Sequence, residues 1–531
     1  APLRGGTGTP TETGQGAATP TPSTAAGGGS STVVQPAPVT LADGALNIRG
    51  AIDNDAGQIT ANGGIDLTAK HGLDNHATLH LNKLDVTGSR LDNSHGVLTV
   101  QQAHVQTESV HNVAGQWGSL GNMTVVTDRL DNTQGEMRAD QVLDIHSSGS
   151  VDNAQGVLSA GNTLRVEDGS SSKRLAVTNT QGRMESERDL KLDAKALTGD
   201  GTVWAERDAV VQLQGDLHNT ASLQAGRNLE LAAAGQVRND KVLSAGHTLS
   251  VRAQAVDNTV SGEITAQHTE VTAAQDLSNR GLIDGEVTRV SAGQTLNNIG
   301  TGRIFGTQLG VAANTLNNVE EVVEGTQKAA TIAARQQLDI GAQTIHNREH
   351  STLFADGALH VGGALDANGL ATGKAALLQN DSATVESTGD MHLSVARIHN
   401  NNVHFASEVQ QVKQERVGEV QGTVAGEGSA PLDPSAVYTV DSEKLAGMPY
   451  LGNEVHPDYV LNAQHDVRVH NDESNHLITP EGFYGTWTLK DFTRSTSESV
   501  VTQTDPGKII AGGNLTLATE QLRNKDSQVL V

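Results

Sequence analysis

The chain has 531 residues, with 61 acidic against 36 basic side chains and a net charge of −25; it lacks the basic footprint that nucleic-acid binding requires. It contains no cysteine, which excludes a disulfide scaffold, a thiolate metal site and a thiol nucleophile. No run approaches the roughly eighteen apolar residues a membrane-spanning helix needs, and residues 1–30 lack the charged start and apolar core of a secretory signal peptide.

Residues 1–40 hold six prolines and eight glycines among Ser, Thr and Ala, and read as a flexible linker. Residues 41–400 contain no proline, which suits continuous backbone pairing because each proline deletes a ladder donor. Within them one phrase recurs: an aliphatic residue, Asp or a similar residue, Asn, two residues, Gly. It reads IDNDAG at 52–57, LDNSHG at 91–96, LDNTQG at 130–135, VDNAQG at 151–156 and VTNTQG at 177–182, with degenerate copies such as LHN at 217–219, VDN at 256–258 and IHN at 345–347. Asn54, Asn75, Asn93, Asn112, Asn132 and Asn153 are 21, 18, 19, 20 and 21 residues apart, so one copy is one turn of a solenoid.

Apolar or small residues repeat at fixed offsets in each turn: Ile52, Ile59, Ala61, Ile65 and Leu67; Leu130, Met137, Ala139, Leu143 and Ile145; Val151, Leu158, Ala160, Leu164 and Val166. Within segments the spacing is two, the strand period. Gly and Asn separate the segments and are assigned the positive-φ corners. No ten-residue amphipathic stretch supports a helical repeat, and a propeller blade needs about forty residues. The fold expected is all-β, a parallel β-helix with about 20 residues per turn, followed by a non-repetitive, aromatic-rich region. At about 4.8 Å per turn, roughly eighteen turns make a rod on the order of 85 Å long. Asn54, Asn75, Asn93, Asn132, Asn153, Asn179 and Asn258 are expected to stack as a structural amide ladder, and the Asp before them to be solvated turn residues.

The phrase stops near Asn400. Residues 401–506 hold all six remaining prolines, most of the aromatics, and 16 acids against 7 bases over 401–510. Tyr438, Tyr450, Tyr459, Phe483, Tyr484, Trp487 and Phe492 build either a small core or a binding surface; Tyr450, Tyr459, Phe483, Tyr484, Trp487 and Phe492 are the candidate receptor-binding residues. The acidic balance disfavours a direct grip on anionic phosphates. Residues 507–531, GKIIAGGNLTLATEQLRNKDSQVLV, look like the repeat resuming. The chain opens in linker and stops in mid-pattern, and so reads as an internal fragment.

Motifs for chemistry are weak. His346 and His350 form H-x-x-x-H without the Glu of a zinc protease site, and the other histidines are scattered. GLATGKAA at 369–376 has the wrong glycine spacing for a phosphate loop, and Ala375 stands at its Ser/Thr position. Neither G-x-S-x-G nor a calcium-binding G-G-x-G-x-D nonapeptide occurs. No catalytic residue, metal or cofactor is assigned, and the chain reads as a non-enzyme.

The turns LDNSHGVLTV, LDNTQGEMRAD, VDNAQGVLSAGNTLRV and GKIIAGGNLTLATEQLRN resemble the filamentous haemagglutinin repeats of two-partner-secretion exoproteins, a family of adhesins and contact-dependent growth-inhibition exoproteins. The likeness covers about 41–400 and 507–531. It implies a right-handed β-helix exported through an outer-membrane transporter partner. It also implies a secreted, monomeric filament at the bacterial cell surface, with 401–506 in the place of a region that binds an outer-membrane receptor on a target cell. The expected function is a stalk for contact-dependent inhibition and toxin delivery. The alternatives are a host-cell or biofilm adhesin and, more distantly, a β-helix polysaccharide-cleaving enzyme.

Overall fold

The structure is a computed structural model that describes residues 39–41, 44–48, 50–61, 65–423, 438–440, 459–461, 467–469, 477–479, 482–484 and 486–531. The linker expected over 1–40 lies almost wholly outside the described residues. All regular structure described is strand.

One turn consists of Val157–Ala160, Thr163–Asp168 and Ala176–Thr178. Each pairs in parallel with its counterparts one turn before and one turn after. Val157–Ala160 lies between Glu136–Ala139 and Arg183–Ser186. Thr163–Asp168 lies between Val142–Asp152 and Asp189–Ala194, and Ala176–Thr178 between Val142–Asp152 and Ala196–Thr198. The chain is therefore a parallel β-solenoid with three stacked faces and three corner edges. About twenty turns at roughly 4.8 Å each give a rod on the order of 95 Å long.

Alternation builds the core. Leu158, Ala160, Leu164, Val166 and Val177 point inward and are at most 1% exposed, while the residues between them face out. The inward set read from the sequence is buried at Leu130, Met137, Ala139, Leu143, Ile145, Val151, Ile52, Ile65 and Leu67; Ile59 packs half-buried against it. Burying each such Leu or Ile contributes about 1.5–3 kcal/mol. The bore is too narrow for many rings. Trp117, stacked between Leu98 and Met137, is the one aromatic fully buried among the described residues.

The corner chemistry differs from the expectation in two ways. Positive φ falls on the residue before the glycine of the phrase: Ala56, His95, Ala114, Gln134, Gln155 and Gln181, at 52–59°. The glycine is there for space. A Cβ on Gly135 would sit 2.7 Å from Asn132 Oδ1 and closer still to the Asn112 carbonyl one turn before. Gly135→Ala is expected to lower stability by about 1–3 kcal/mol through this overpacking, read as a lower urea midpoint. The second difference is the aspartate. Asp92, Asp131 and Asp152 are half-buried and accept the N–H two residues on, from Ser94 (2.9 Å), Thr133 (3.0 Å) and Ala154 (3.0 Å). They tie the corner rather than merely facing water.

Excursions leave the corners without breaking the stack. The 169–175 loop is closed by Asp168, whose carboxylate accepts N–H bonds from Ser170 (2.8 Å) and Leu175 (2.6 Å). A hairpin of Glu321–Val323 and Thr326–Lys328 leaves the Asn318 corner. A second, Ala364–Leu365 with Ala371–Thr372, folds over the face holding Arg289 and Asp339, where Arg289 Nη2 donates to the Asn368 carbonyl (2.6 Å) and the Ala371 N–H to Asp339 Oδ1 (2.9 Å). The largest excursion runs from Val403 to Pro506. Beyond it, Lys508–Ala511 pairs with Thr384–Ser387, and Leu515–Ala518 and Gln521–Lys525 pair with Met391–Asn401, all in parallel.

Candidate functional site: the asparagine corner and the stem of the insertion

The phrase places its asparagine side chains in one buried column. Nδ2 of Asn54 donates to Oδ1 of Asn75 (2.7 Å), Asn75 to Asn93 (2.7 Å), Asn93 to Asn112 (2.8 Å), Asn112 to Asn132 (2.8 Å), Asn132 to Asn153 (2.7 Å) and Asn153 to Asn179 (2.8 Å). The column breaks at Gly199, whose φ is 100° and where a Cβ would lie 2.5 Å from the Thr180 nitrogen. Asn179 keeps the bond to the next turn's carbonyl, at Thr202 (3.1 Å), as Asn132 and Asn153 do at Val157 and Arg183. The column restarts at Asn219, and Asn258, bonded on both sides, belongs to this second run. It continues through Asn318, Asn347 and Asn380 to Asn400.

Asn400 Nδ2 then donates to Asn524 Oδ1 at 2.7 Å, across 124 positions of sequence. Gly507 occupies the glycine position of the Asn400 corner, where a Cβ would sit 2.5 Å from Asn400 Oδ1. The insertion is thus set inside a single corner phrase, between its asparagine and its glycine. Ala406–Thr423 and Thr486–Gln503 leave and return as a long antiparallel ribbon, with Tyr438–Val440 against Gly418–Val420. Tyr459–Leu461, Val467–Val469, Leu477–Thr479 and Gly482–Tyr484 form a four-stranded antiparallel sheet.

Of the candidate receptor-binding aromatics, Tyr450 lies outside the described residues. Tyr459, Phe483 and Tyr484 fall in the four-stranded sheet, and Trp487 and Phe492 on the returning ribbon strand; their side chains lie outside what is described. Backbone pairing puts Tyr459 opposite Val469, Phe483 opposite Ile478 and Trp487 opposite Gly422.

The stem is held by polar contacts. Asn402 Oδ1 accepts from the N–H groups of His404 (3.0 Å) and Asp505 (3.2 Å), and Asn402 Nδ2 donates to Thr504 Oγ1 (3.0 Å). His404 Nε2 meets Glu349 Oε2 at 2.7 Å, and His350 Nε2 meets Asp505 Oδ2 at 2.7 Å. Beside the stem lies a groove of 560 Å³ lined by Asn317, His346, Arg348, Glu349, Asp381 and Val403. Burial pushes the His346 imidazole below its ordinary pKa, against the pull of Asp381, and favours the neutral ring.

His346 and His350 therefore serve separate places, the groove and the stem. Among the described residues no group of three His, Asp or Glu is placed to hold a metal ion, and no helix is long and apolar enough to cross a membrane. Sequence reasoning passed over Glu349, His404 and Asp505, and weighed His350 only as a metal ligand. The available signal was NREHS at 347–351, which sets a base, an acid and a histidine side by side in one corner.

The haemagglutinin repeat family matches residues 26–108, 77–167, 138–185, 186–241, 228–300, 308–408 and 493–531. The chain is similar to a tRNA nuclease CdiA-2 of Burkholderia pseudomallei (strain 1026b), 28% identical over 289 residues, 54% of this chain and 9% of that protein. It is also similar to a Toxin CdiA of Yersinia pestis, 26% identical over 251 residues, 45% of this chain and 7% of that one. The match thus spans less than a tenth of either relative's length. No solved structure matches the chain. The matched segments take in most of the solenoid and the turns on both sides of the insertion, and the chain belongs to the haemagglutinin repeat family.

Proposed function

We propose that this chain is part of the extracellular filament of a secreted exoprotein, and that it presents the 403–506 insertion to a receptor on a neighbouring cell for contact-dependent growth inhibition and toxin delivery. One observation carries the reading: the amide column passes from Asn400 to Asn524 while the 403–506 segment leaves and returns at a single corner. A stalk needs such continuity, because a side excursion then varies without disturbing the stack. The names of the two relatives, a tRNA nuclease and a toxin, favour the inhibition reading over a host-cell or biofilm adhesin. Export through an outer-membrane transporter and display at the cell surface belong to the same reading, as does a structural rather than enzymatic role for the rod.

The test replaces residues 404–503 with a short turn. The rod's far-ultraviolet spectrum and melting temperature should hold, and binding to target bacteria should be lost. Exchanging the segment for that of a relative should redirect target choice. Retained binding in the deletion variant would sink the receptor assignment, and binding to host cells alone would favour the adhesin. A polysaccharide-depolymerisation assay is expected to show no product.

A further inference from the structure

Four side chains join the insertion's stem to the rod in a crossed arrangement. Glu349 and His350 are neighbours in the Asn347 corner, at φ of 48° and 67°. Their N–H groups bond the carbonyls of Asp381 (2.9 Å) and Ser382 (2.8 Å), which aims both side chains along the corner edge. His404 and Asp505 lie at the foot of the stem, just before the strand Ala406–Thr423 and just after the strand Thr486–Gln503, where it leaves the Asn400 corner. Glu349 takes His404 and His350 takes Asp505, each at 2.7 Å, so the rod supplies one acid and one imidazole and the stem supplies the reciprocal pair. The contacts reach over the intervening Asn380 turn. There Ser382 Oγ donates to the Asp505 carbonyl (2.7 Å) and accepts the Val403 N–H (3.0 Å).

The stem is thus anchored twice: by neutral bonds at its root, and by two imidazole–carboxylate pairs further along the rod. The pairs are partly exposed, with His404 and Glu349 at 38% and 16% and His350 and Asp505 at 59% and 30% side-chain exposure, so protons reach them. The other charged groups around them are already engaged. Arg348 pairs with Glu320 (2.8 Å), and Asp381 accepts the Asn401 and Gln379 amides (2.7 and 2.6 Å).

We propose that this crossed pair is a proton-dependent latch: with the His404 imidazole protonated, the stem is fixed against the rod, and when it loses its proton the insertion swings on its neutral root. The Glu349 hydrogen bond holds the His404 imidazole above its ordinary pKa despite burial, with Asp505 adding to it. A raised imidazole pKa means that the contact is complete below the free histidine value and is lost as pH rises through the bound value. The latch is therefore closed in mildly acidic surroundings and open in alkaline ones. It does not depend on what the insertion binds.

The absence of cysteine makes the test direct. Spin labels at Ser261→Cys on the rod's corner edge and Ser497→Cys on the ribbon report the pose; a second pair, Gln181→Cys with Ser261→Cys, reports the rod alone. The ribbon distance distribution should be narrow at about pH 5.5 and at least about twofold broader at about pH 8.5, with a midpoint above about 6.5. The rod pair should not change. The His350→Gln, His404→Gln double variant should be broad at both pH values while its rod pair stays narrow. Equal widths at both pH values in the parent, or a transition that survives in the double variant, would overturn the latch.

Discussion

Leu158→Asp is expected to open the rod around its turn, with a loss of more than about 4 kcal/mol. Leu158 is fully buried and stacks in register between Met137 before and Met184 after. Aspartate there forfeits the burial of the leucine, about 2–3 kcal/mol, and places a carboxylate where the neighbouring core side chains are apolar. Gln155, three positions earlier, is exposed, and its amide bonds only the exposed Gln134 and Gln181. Gln155→Asp should cost less than about 1 kcal/mol. Limited proteolysis separates the two: new cleavage near 150–170 in Leu158→Asp and a parental pattern in Gln155→Asp. If both variants resist equally, the inward and outward phase of this face is wrong.

Asn132→Leu should lower stability by about 2–5 kcal/mol, although leucine has the same branching at Cγ and the same count of side-chain heavy atoms. Asn132 Nδ2 donates to Asn153 Oδ1 (2.7 Å) and to the carbonyls of Gly135 and Val157 (both 3.1 Å), and its Oδ1 accepts Asn112 Nδ2 (2.8 Å). Leucine takes one acceptor from the Asn112 amide below, which keeps the Gly115 and Glu136 carbonyls (3.2 and 3.0 Å), and removes the donor to Asn153 Oδ1 above in a dry corner, where an orphaned buried group costs about 1–3 kcal/mol. Asn219→Leu should cost less, because Asn219 begins a run just after the Gly199 break and receives no amide from below. Urea midpoints of the two variants would show it; equal losses would mean that the bonds to the next turn's carbonyls, not the column, carry the stability.

The architecture was legible because a solenoid writes its geometry as period. Asn132 and Asn153 are 21 residues apart in sequence and one strand spacing apart in space, so the repeat length is the turn length. The two-residue alternation around Leu158, Ala160, Leu164 and Val166 likewise states which side chains face in, because successive strand side chains point to opposite faces. What the phrase did not reveal was which residue strains and which one makes room. Asn, Gly and the two residues between them are all compatible with a tight turn. Only the stacked neighbour shows that Gly135 must lack a Cβ and that Gln134 bears the positive φ.

The corner excursions were hidden for a related reason. Longer spacings, such as the 29 residues from Asn318 to Asn347 and the 33 from Asn347 to Asn380, look like a decaying repeat in sequence. In space the column runs on from Asn318 through Asn347 to Asn380, and the surplus is looped out as hairpins.

Local sequence, then, determined the solenoid, its turn length, its inward face and the stretch where the repeat is interrupted, because each of these depends on contacts that recur with every turn. Tertiary structure alone decided that Asn400 meets Asn524, that Gly507 completes a phrase begun 107 positions earlier, and that Glu349 and His350 reach His404 and Asp505. Those contacts occur once and join residues far apart in the chain, so no periodicity announces them.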